Sequence, residues 1–535
     1  MAFHYVGGAR DQLFLLPMSM RDWLDEGHLA WFVLDTVAAI DTSAFHARHP
    51  NDGPGRPAYD PDMMLALLLY GYGTGVRSSR RIEALCRTDA AFRVIAGDVV
   101  PDHATIARFV VDHERAIEDS FFEVLRLCAA AGLVSVGTIA IDGTKMAADA
   151  SLKANRSREA IEAELARLRA EAHRIVAEAQ ALDAADDTQT ELFASDRLPA
   201  ELSTRAGRRA RLEQALALID AEEAAAAADA AGRAAKARDA AAEGRRLTGT
   251  KPTDPAQALE RAEIDAQVIQ DRVQDAATDR AARRAARQAQ AAAEGRTLRG
   301  RPPVDLPARH RRDLERTEQA VTDARAAADA APAQPHHTEA NVTDPDSRIM
   351  KTAKGWVQGY NAQAAANDHQ IVIACLLSQD ANDVGLYQPT VAAVHTALAR
   401  IEVTTPIGTV LADAGYWSED NATVAGPDRL IATTKDWKQR QAARQMGTTN
   451  GPPPPQATPL HAMEHRLRTP EGAQAYAHRS YTIEPVFGDT KHNRGFPGFR
   501  RRGLPAARSE WSLLNSVHNL LKLFHHHPQT TPALA

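Results

Sequence analysis

From residue 156 to about 342 the chain is built from Ala/Glu/Arg-rich runs. Examples are "SREAIEAELARLRAEAHRIVAEAQAL" and "DRVQDAATDRAARRAARQAQAAAEG", and the whole stretch holds one aromatic residue, Phe193. So little bulky apolar surface cannot close a globular core. Strong helix formers with alternating charge predict long helices, packed as antiparallel hairpins or a loose coiled coil. The stretch also echoes itself: "GRRLTGTKPTDP" from Gly244 and "GRTLRGRPPVDLP" from Gly295 share Gly, Arg, Leu, Gly, Pro and Asp at one constant offset. Two similar helix-breaking loops imply that part of it is a repeated unit. Core-forming composition lies on either side, so the compact part of the protein has to close around an excursion. Closure cost grows only slowly with loop length, which makes this affordable.

The remaining composition narrows the class. A chain of 535 residues predicts two to four folding units, and 44% apolar with 25% charged residues is ordinary for a globular protein. The net charge of −6 means that any affinity for nucleic acid must come from local basic patches. Cys86, Cys128 and Cys375 lie far apart without a CxxC spacing, which argues against a disulfide framework or a cysteine zinc site and fits a reducing cytoplasm. No signal-peptide pattern opens the chain, and the longest apolar run, "MMLALLLYGYG", is short of the roughly 20 residues that span a bilayer. No membrane partner is expected. Residues 525–535 read as a disordered tail.

Residues 1–132 read as an all-α domain. Asp60 before Pro61 opens "DPDMMLALLLYGYG"; Ser78 or Ser79 caps "SSRRIEALCRTDAAFRVIAG", with Gly97 as its stop; a third stretch runs from Pro101 and Asp102 to Gly132. Short helices with arginines near their starts suit a helix-turn-helix assembly or a plain bundle, and the pattern leaves both open. Residues 133–155 carry an apolar strand. After the insertion, residues 343–524 turn globular again: a β-rich run from Ile371 to Leu377, an amphipathic helix in "DVGLYQPTVAAVHTALARI", a strand in "PIGTVLADAGY", another in "DRLIATTK", a loop in "RQMGTTNGPPPPQATP", helical character through "TPEGAQAYAHRSYTIEPVFGDTKHN", and a closing helix in "RSEWSLLNSVHNLLKLFHH".

Three carboxylates stand out by position. Asp142 interrupts the apolar run "TIAIDGTKMAA", where a buried unpaired carboxylate is costly unless it turns the chain, finds a cation or holds a metal. Asp142-Gly143 is also a type I′ hairpin signature. Asp413 ends a strand and suits the cap of a turn; Glu484 opens a helix before Pro485, where a first-turn acid is favoured by the dipole. Carboxylates from separate elements that converge at one end of a sheet would bind hard divalent cations.

The blocks "AIDGTKMAADAS", "GYNAQAAAND", "VLADAGYWSEDN" and "YTIEPVFGDTKHNRGFPGFRRRG" resemble those of DDE transposases of bacterial insertion sequences. The branch is the one with an N-terminal helical domain and an RNase H-like catalytic fold. "YDPDMMLALLLYGYGTGVRSSRRIEALCRTDAAFRVIAG", "PDHATIARFV" and "EWSLLNSVHNLLKL" are similar to its leading domain and last helix, so the resemblance covers nearly everything except the insertion. It implies an α/β fold: a mixed sheet flanked by helices, interrupted at 156–342 and preceded by the helical domain, which would bind DNA. It maps the catalytic, metal-holding triad to Asp142, Asp413 and Glu484. It further implies Tyr476 and Arg479 upstream of the Glu, with the Arg one residue farther away than in related branches, and Lys491 downstream. Seven residues are two helical turns, which puts Lys491 on the face of Glu484, in reach of a DNA phosphate.

Around that triad, Arg494, Arg500, Arg501 and Arg502 interleave with Phe496 and Phe499, a mix suited to backbone contact and base stacking. Lys145 is a second phosphate candidate, and Tyr416 and Trp417 either stack on a displaced base or pack on the sheet. The implied cofactor is Mg²⁺, with Mn²⁺ as a substitute and two ions expected. The implied partners are double-stranded DNA, as transposon terminal repeats and target, and a second copy of the chain on that DNA. The implied setting is the bacterial cytoplasm at the nucleoid. The implied reaction is cleavage at transposon ends followed by 3′-hydroxyl strand transfer. The alternatives are an RNase H-like metal nuclease without strand transfer and a non-catalytic DNA-binding descendant of a transposase.

Overall fold

The structure, a computed structural model, describes residues 19–47, 58–183, 205–243, 255–295, 307–330, 339–434 and 447–526. The two echoed loops, most of the C-terminal tail and the start of the "RQMGTTNGPPPPQATP" loop lie outside the described residues. The chain divides into two compact units, one formed by residues 1–155 with 341–535 and the other by residues 156–340.

The second unit consists of long helices: Arg158–Asp183, Arg205–Ala242, Pro255–Ala293 and Ala308–Ala330. Ile161, Leu165 and Leu168 recur at helical spacing and are buried, as are Leu212, Ala215 and Ile219 on the second helix. Between helices, Arg208 pairs with Glu164 at 2.5 Å and Arg325 with Glu263 at 2.7 Å. These exposed pairs add register more than stability.

In the first unit the chain opens with helices α1 (Leu29–Ala39), α2 (Ser43–His46) and α3 (Pro61–Gly73), the last started by Pro61 with the Asp60 side chain accepting from the Asp62 N–H. Each of the next two stretches, expected to be a single run, is broken once. Asp89 ends α4 (Ser79–Thr88) and caps α5 (Ala90–Ile95). His113, its ring bonded to the carbonyls of Phe109 and Phe45, separates α6 (His103–Asp112) from α7 (Glu114–Ala130). A side chain that bonds its own backbone competes with the helical ladder there.

A mixed sheet follows. Its strands are β1 (Thr138–Ala147), β4 (Arg348–Thr352), β5 (Gly355–Asn367), β6 (Val372–Ser378), β7 (Thr409–Ala412) and β8 (Asp428–Ile431), while β2 (Asn155–Ser157) and β3 (Glu339–Asn341) pair apart from it. β5 runs antiparallel to β1 from Ile139↔Asn367 to Ala147↔Gly359 and carries β4 and β6 along its other edge. On the far side of β1, β7 and then β8 are parallel to it. Helix α8 (Tyr387–Arg400) links the two halves of the sheet, and α9 (Leu504–His526) packs on β6, α7 and α3.

The long central strand is the element that composition hides. "GWVQGYNAQAAAN" is rich in Ala, Gln and Asn, which are poor strand formers, yet Ala362, Ala364, Ala365 and Ala366 are fully buried. Neighbours on both edges hold it, and Trp511 of α9 donates its indole N–H to the Gln363 carbonyl at 3.0 Å.

Candidate active site

Asp142 lies inside β1, paired with Ala364, and the strand continues through Gly143 to Ala147. The hairpin-turn reading of Asp142-Gly143 is therefore replaced: no turn forms here. Gly143 serves by its size, because a Cβ at this position would strike the Gln363 side-chain nitrogen and stand 2.8 Å from Asp383 Oδ1 and 3.0 Å from Asn361 Oδ1. A polar cluster fills the space that any side chain would need.

The parallel ladder of β1 and β7 ends at Ile141↔Ala412. The next residues on the two strands are Asp142 and Asp413. Asp413 turns back to accept from the Gly415 N–H at 2.7 Å, closing the loop that follows β7. Burial first, against the opposing charge of Arg479, and then the negative charge of Asp413 and Asp383, push the Asp142 carboxyl up to about 6.

Glu484 arrives from the other side of the sequence. Helix α10 (Pro459–Arg468) leads to α11 (Pro470–Thr482) and a short α12 (Glu484–Gly488), which passes into a π turn over Asp489–Asn493. From α11, Arg479 reaches both acids, with Nη2 at 2.7 Å from Asp142 Oδ2 and Nη1 at 3.6 Å from Glu484 Oε1. Glu484 remains 60% exposed. Tyr476, one turn earlier, is partly buried against the core. The π turn alters the expected route to Lys491, since the seven residues from Glu484 are not two continuous α turns. Lys491 instead donates to Thr144 Oγ1 at 2.6 Å and to the Lys145 carbonyl at 2.8 Å, two to three residues along β1 from Asp142. Burial, then the nearby Lys145, lowers its ammonium.

The basic run after the π turn is only partly presented. Arg494 is buried, bonded to the Leu514 carbonyl at 3.0 Å and paired with Asp489 at 2.9 Å. Phe496 and Phe499 are buried too, so the stacking role expected of them does not fit; they pack near Tyr72 and Tyr360. Arg501 pairs with Glu114 at 2.8 Å and Arg502 with Asp149 at 2.8 Å, while Arg500 is exposed and gives its backbone N–H to Glu510 at 2.9 Å. Arg501 and Arg502 thus fasten the chain beyond Gly495 to α7 and to the segment just after β1. Tyr416 is fully buried and Trp417 half-buried against the core, the packing alternative for both.

One acid at this place carries no sequence signal. Asp383 follows β6 and accepts from Asn361 Nδ2 at 2.7 Å, Gln363 Nε2 at 3.0 Å and Lys145 Nζ at 3.2 Å. In "SQDANDVGLY" nothing separates it from an ordinary loop acid.

Carboxylates are the oxygen donors that a hard divalent cation takes, and Asp142, raised to about 6 by burial first and then by the negative charge of Asp413 and Asp383, has electrostatic cause to receive one. Arg479 at present spreads its charge between Asp142 and Glu484. Among the described residues, the three ligand groups that all lie within 4.8 Å of one another are His46, Asp60 and Asp62, on and beside α2 and α3. Capping of α3 by Asp60 and the His46–Asp62 bond at 3.0 Å account for that cluster.

By class, the first unit is an α/β protein whose mixed sheet collects acidic side chains where two parallel strands adjoin. Residues 18–112 match the family description "Transposase domain (DUF772)", and residues 433–524 match "Transposase DDE domain". The first match lies over the leading helices and the second over the Arg479–Glu484–Lys491 block, and together they support a DDE transposase of insertion-sequence type. No curated protein and no solved structure gave a significant match. Among the described residues no helix is long and apolar enough to cross a membrane.

Proposed function

We propose that the protein cleaves DNA at transposon ends and transfers the resulting 3′-hydroxyl into target DNA, using Asp142, Asp413 and Glu484. The observation that supports this reading is that Asp142 and Asp413 directly follow the last pair of one parallel ladder, with Arg479 paired to Asp142 at 2.7 Å and 3.6 Å from Glu484. An RNase H-like fold is part of the proposal. Supporting it are three antiparallel strands, β1, β5 and β6, followed through a helix by two strands parallel to β1.

In this reading Asp142, Asp413 and Glu484 hold two Mg²⁺ ions, or Mn²⁺ in their place. Bound there, such ions would supply activation of the attacking water or hydroxyl and charge stabilisation at the leaving oxygen. The chain itself contributes position. β1 and β7 fix Asp142 and Asp413 in register. Arg479, released from the carboxylates, is placed to pair with a phosphate, as is Lys491 from its seat on Thr144. Lys145, Arg500, and the exposed parts of the basic run extend that contact along the backbone. The N-terminal helical domain, residues 1–132, binds DNA in this reading. Because two transposon ends are joined to one target, a dimer on DNA in the bacterial cytoplasm completes the proposal.

The test is Asp142→Asn assayed on DNA carrying the element's ends, with Mg²⁺ or Mn²⁺. Cleavage is expected to fall by at least about 100-fold, a larger loss than the 10–100-fold typical of residues that only support metal ligands. Joined products with the wild-type protein separate transposase from nuclease. Cleavage without joining selects the nuclease, and no metal-dependent activity in the wild type selects the DNA-binding descendant.

A further inference from the structure

Asp383 occupies the position that would cap the turn Val384–Leu386, yet its side chain makes no capping bond. It is directed at the sheet instead, where one oxygen, Oδ1, accepts from three donors: Asn361 at 2.7 Å, Gln363 at 3.0 Å and Lys145 at 3.2 Å. Three donors on one carboxylate oxygen hold it in a single place.

The network extends from there to Asp413. The hydroxyl of buried Tyr416 donates to Gln363 Oε1. Buried Asn421 donates to the carbonyls of both Val384, at 2.7 Å, and Tyr416, at 2.8 Å. The segment that carries Asp383 and the loop that carries Asp413 are therefore bonded to each other by two routes. They also share a border: a Cβ on Gly415 would stand 2.8 Å from Asp413 Oδ1 and 3.0 Å from Asp383 Oδ2. β7 is only four residues long, so the loop beyond it depends on these bonds for its geometry.

We propose that Asp383 is a positioning residue of the catalytic site, fixing the Asp413 loop through Gln363 and Tyr416 and restraining Lys145 three residues beyond Asp142. The proposal rests on reading Asp142, Asp413 and Glu484 as the metal-holding acids. It explains why Gly143 is without a side chain, since Gln363 and Asp383 fill that space.

The experiment uses the full chain and Mn²⁺ alone, without DNA, with binding followed by electron paramagnetic resonance and folding by thermal melting. Asp383→Asn keeps the shape and removes the charge. It is expected to weaken Mn²⁺ binding by about 10–100-fold without lowering the melting temperature, as supporting residues of metal sites do. Asp383→Glu should recover part of the affinity, and Tyr416→Phe should weaken it in the same direction. Unchanged Mn²⁺ affinity in folded Asp383→Asn overturns the proposal. If Asp383→Asn does not fold, Tyr416→Phe decides, with weakened binding in support and unchanged binding against. Asp142→Asn separates the two levels. If it binds Mn²⁺ as the wild type does, the metal-site reading itself fails; if it loses binding while Asp383→Asn keeps it, only the role of Asp383 fails.

Discussion

Gly143 shows how a single residue can carry two incompatible readings. Next to Asp142 it looks like half of a tight turn, but in the sheet it is a strand residue whose missing Cβ leaves room for Gln363, Asn361 and Asp383. Gly143→Ala would push a methyl group into that cluster. The expected cost is about 1–3 kcal/mol of stability, as for other overpacked sites, with slower DNA cleavage because the displaced side chains anchor the Asp413 loop. Thermal melting and end-cleavage assays on the same preparation check both. Arg479 makes a related point: proximity of the two acids it joins is a property of the folded chain, since Asp142 and Glu484 are held by elements on opposite sides of the insertion.

At the scale of elements, the helices of the leading region are joined by polar links as well as by core packing. Glu83 on α4 accepts from Arg87 at 2.8 Å and from the His103 N–H at the start of α6 at 2.9 Å, with His103 Nδ1 at 2.7 Å from the same carboxylate. Hydrogen bonds from Arg87 and then His103 lower its carboxyl to about 2. A folded-state value below the ordinary one means that this stabilisation is complete above the usual carboxylate range near 4.5 and is lost as pH falls through about 2. Glu83→Gln should therefore lower the melting temperature at pH 7, and the difference from wild type should shrink steadily on acidification. Helix starts at Asp60-Pro61 and Asp102 could be read from the chain because caps are local chemistry, whereas Ser78 precedes α4 without a side-chain cap bond. The breaks at Asp89 and His113 could not, because at His113 the decisive bond reaches Phe45, far away in sequence. Strand β5 was hidden for the same reason: its Ala, Gln and Asn residues become a strand only when β1, β4 and β6 pair with it.

For the whole molecule, the two ends of the first unit's chain that flank residues 156–340 lie together, the Val342 N–H donating to the Ala154 carbonyl at 3.0 Å. Ends this close need no long connection. Replacing residues 156–340 by a short flexible Gly/Ser linker should leave the first unit folded, with a cooperative melt and the circular dichroism of a mixed α/β protein. Loss of cooperative melting would show that the first unit depends on the second. What the sequence determined by itself is what local chemistry and composition control: a helical leading region, a stretch too poor in bulky apolar residues to make a core, strands in the apolar runs around Asp142 and Asp413, and the family-like blocks that carry the acids. Only the tertiary structure decided the reach of Arg479 to both Asp142 and Glu484, the burial of Arg494, Phe496 and Phe499 in a run that reads as exposed, and the place of Asp383 against Lys145 and Gln363. Each of these depends on contacts between residues far apart in the chain, and neither residue type nor spacing carries that information until the sheet has formed.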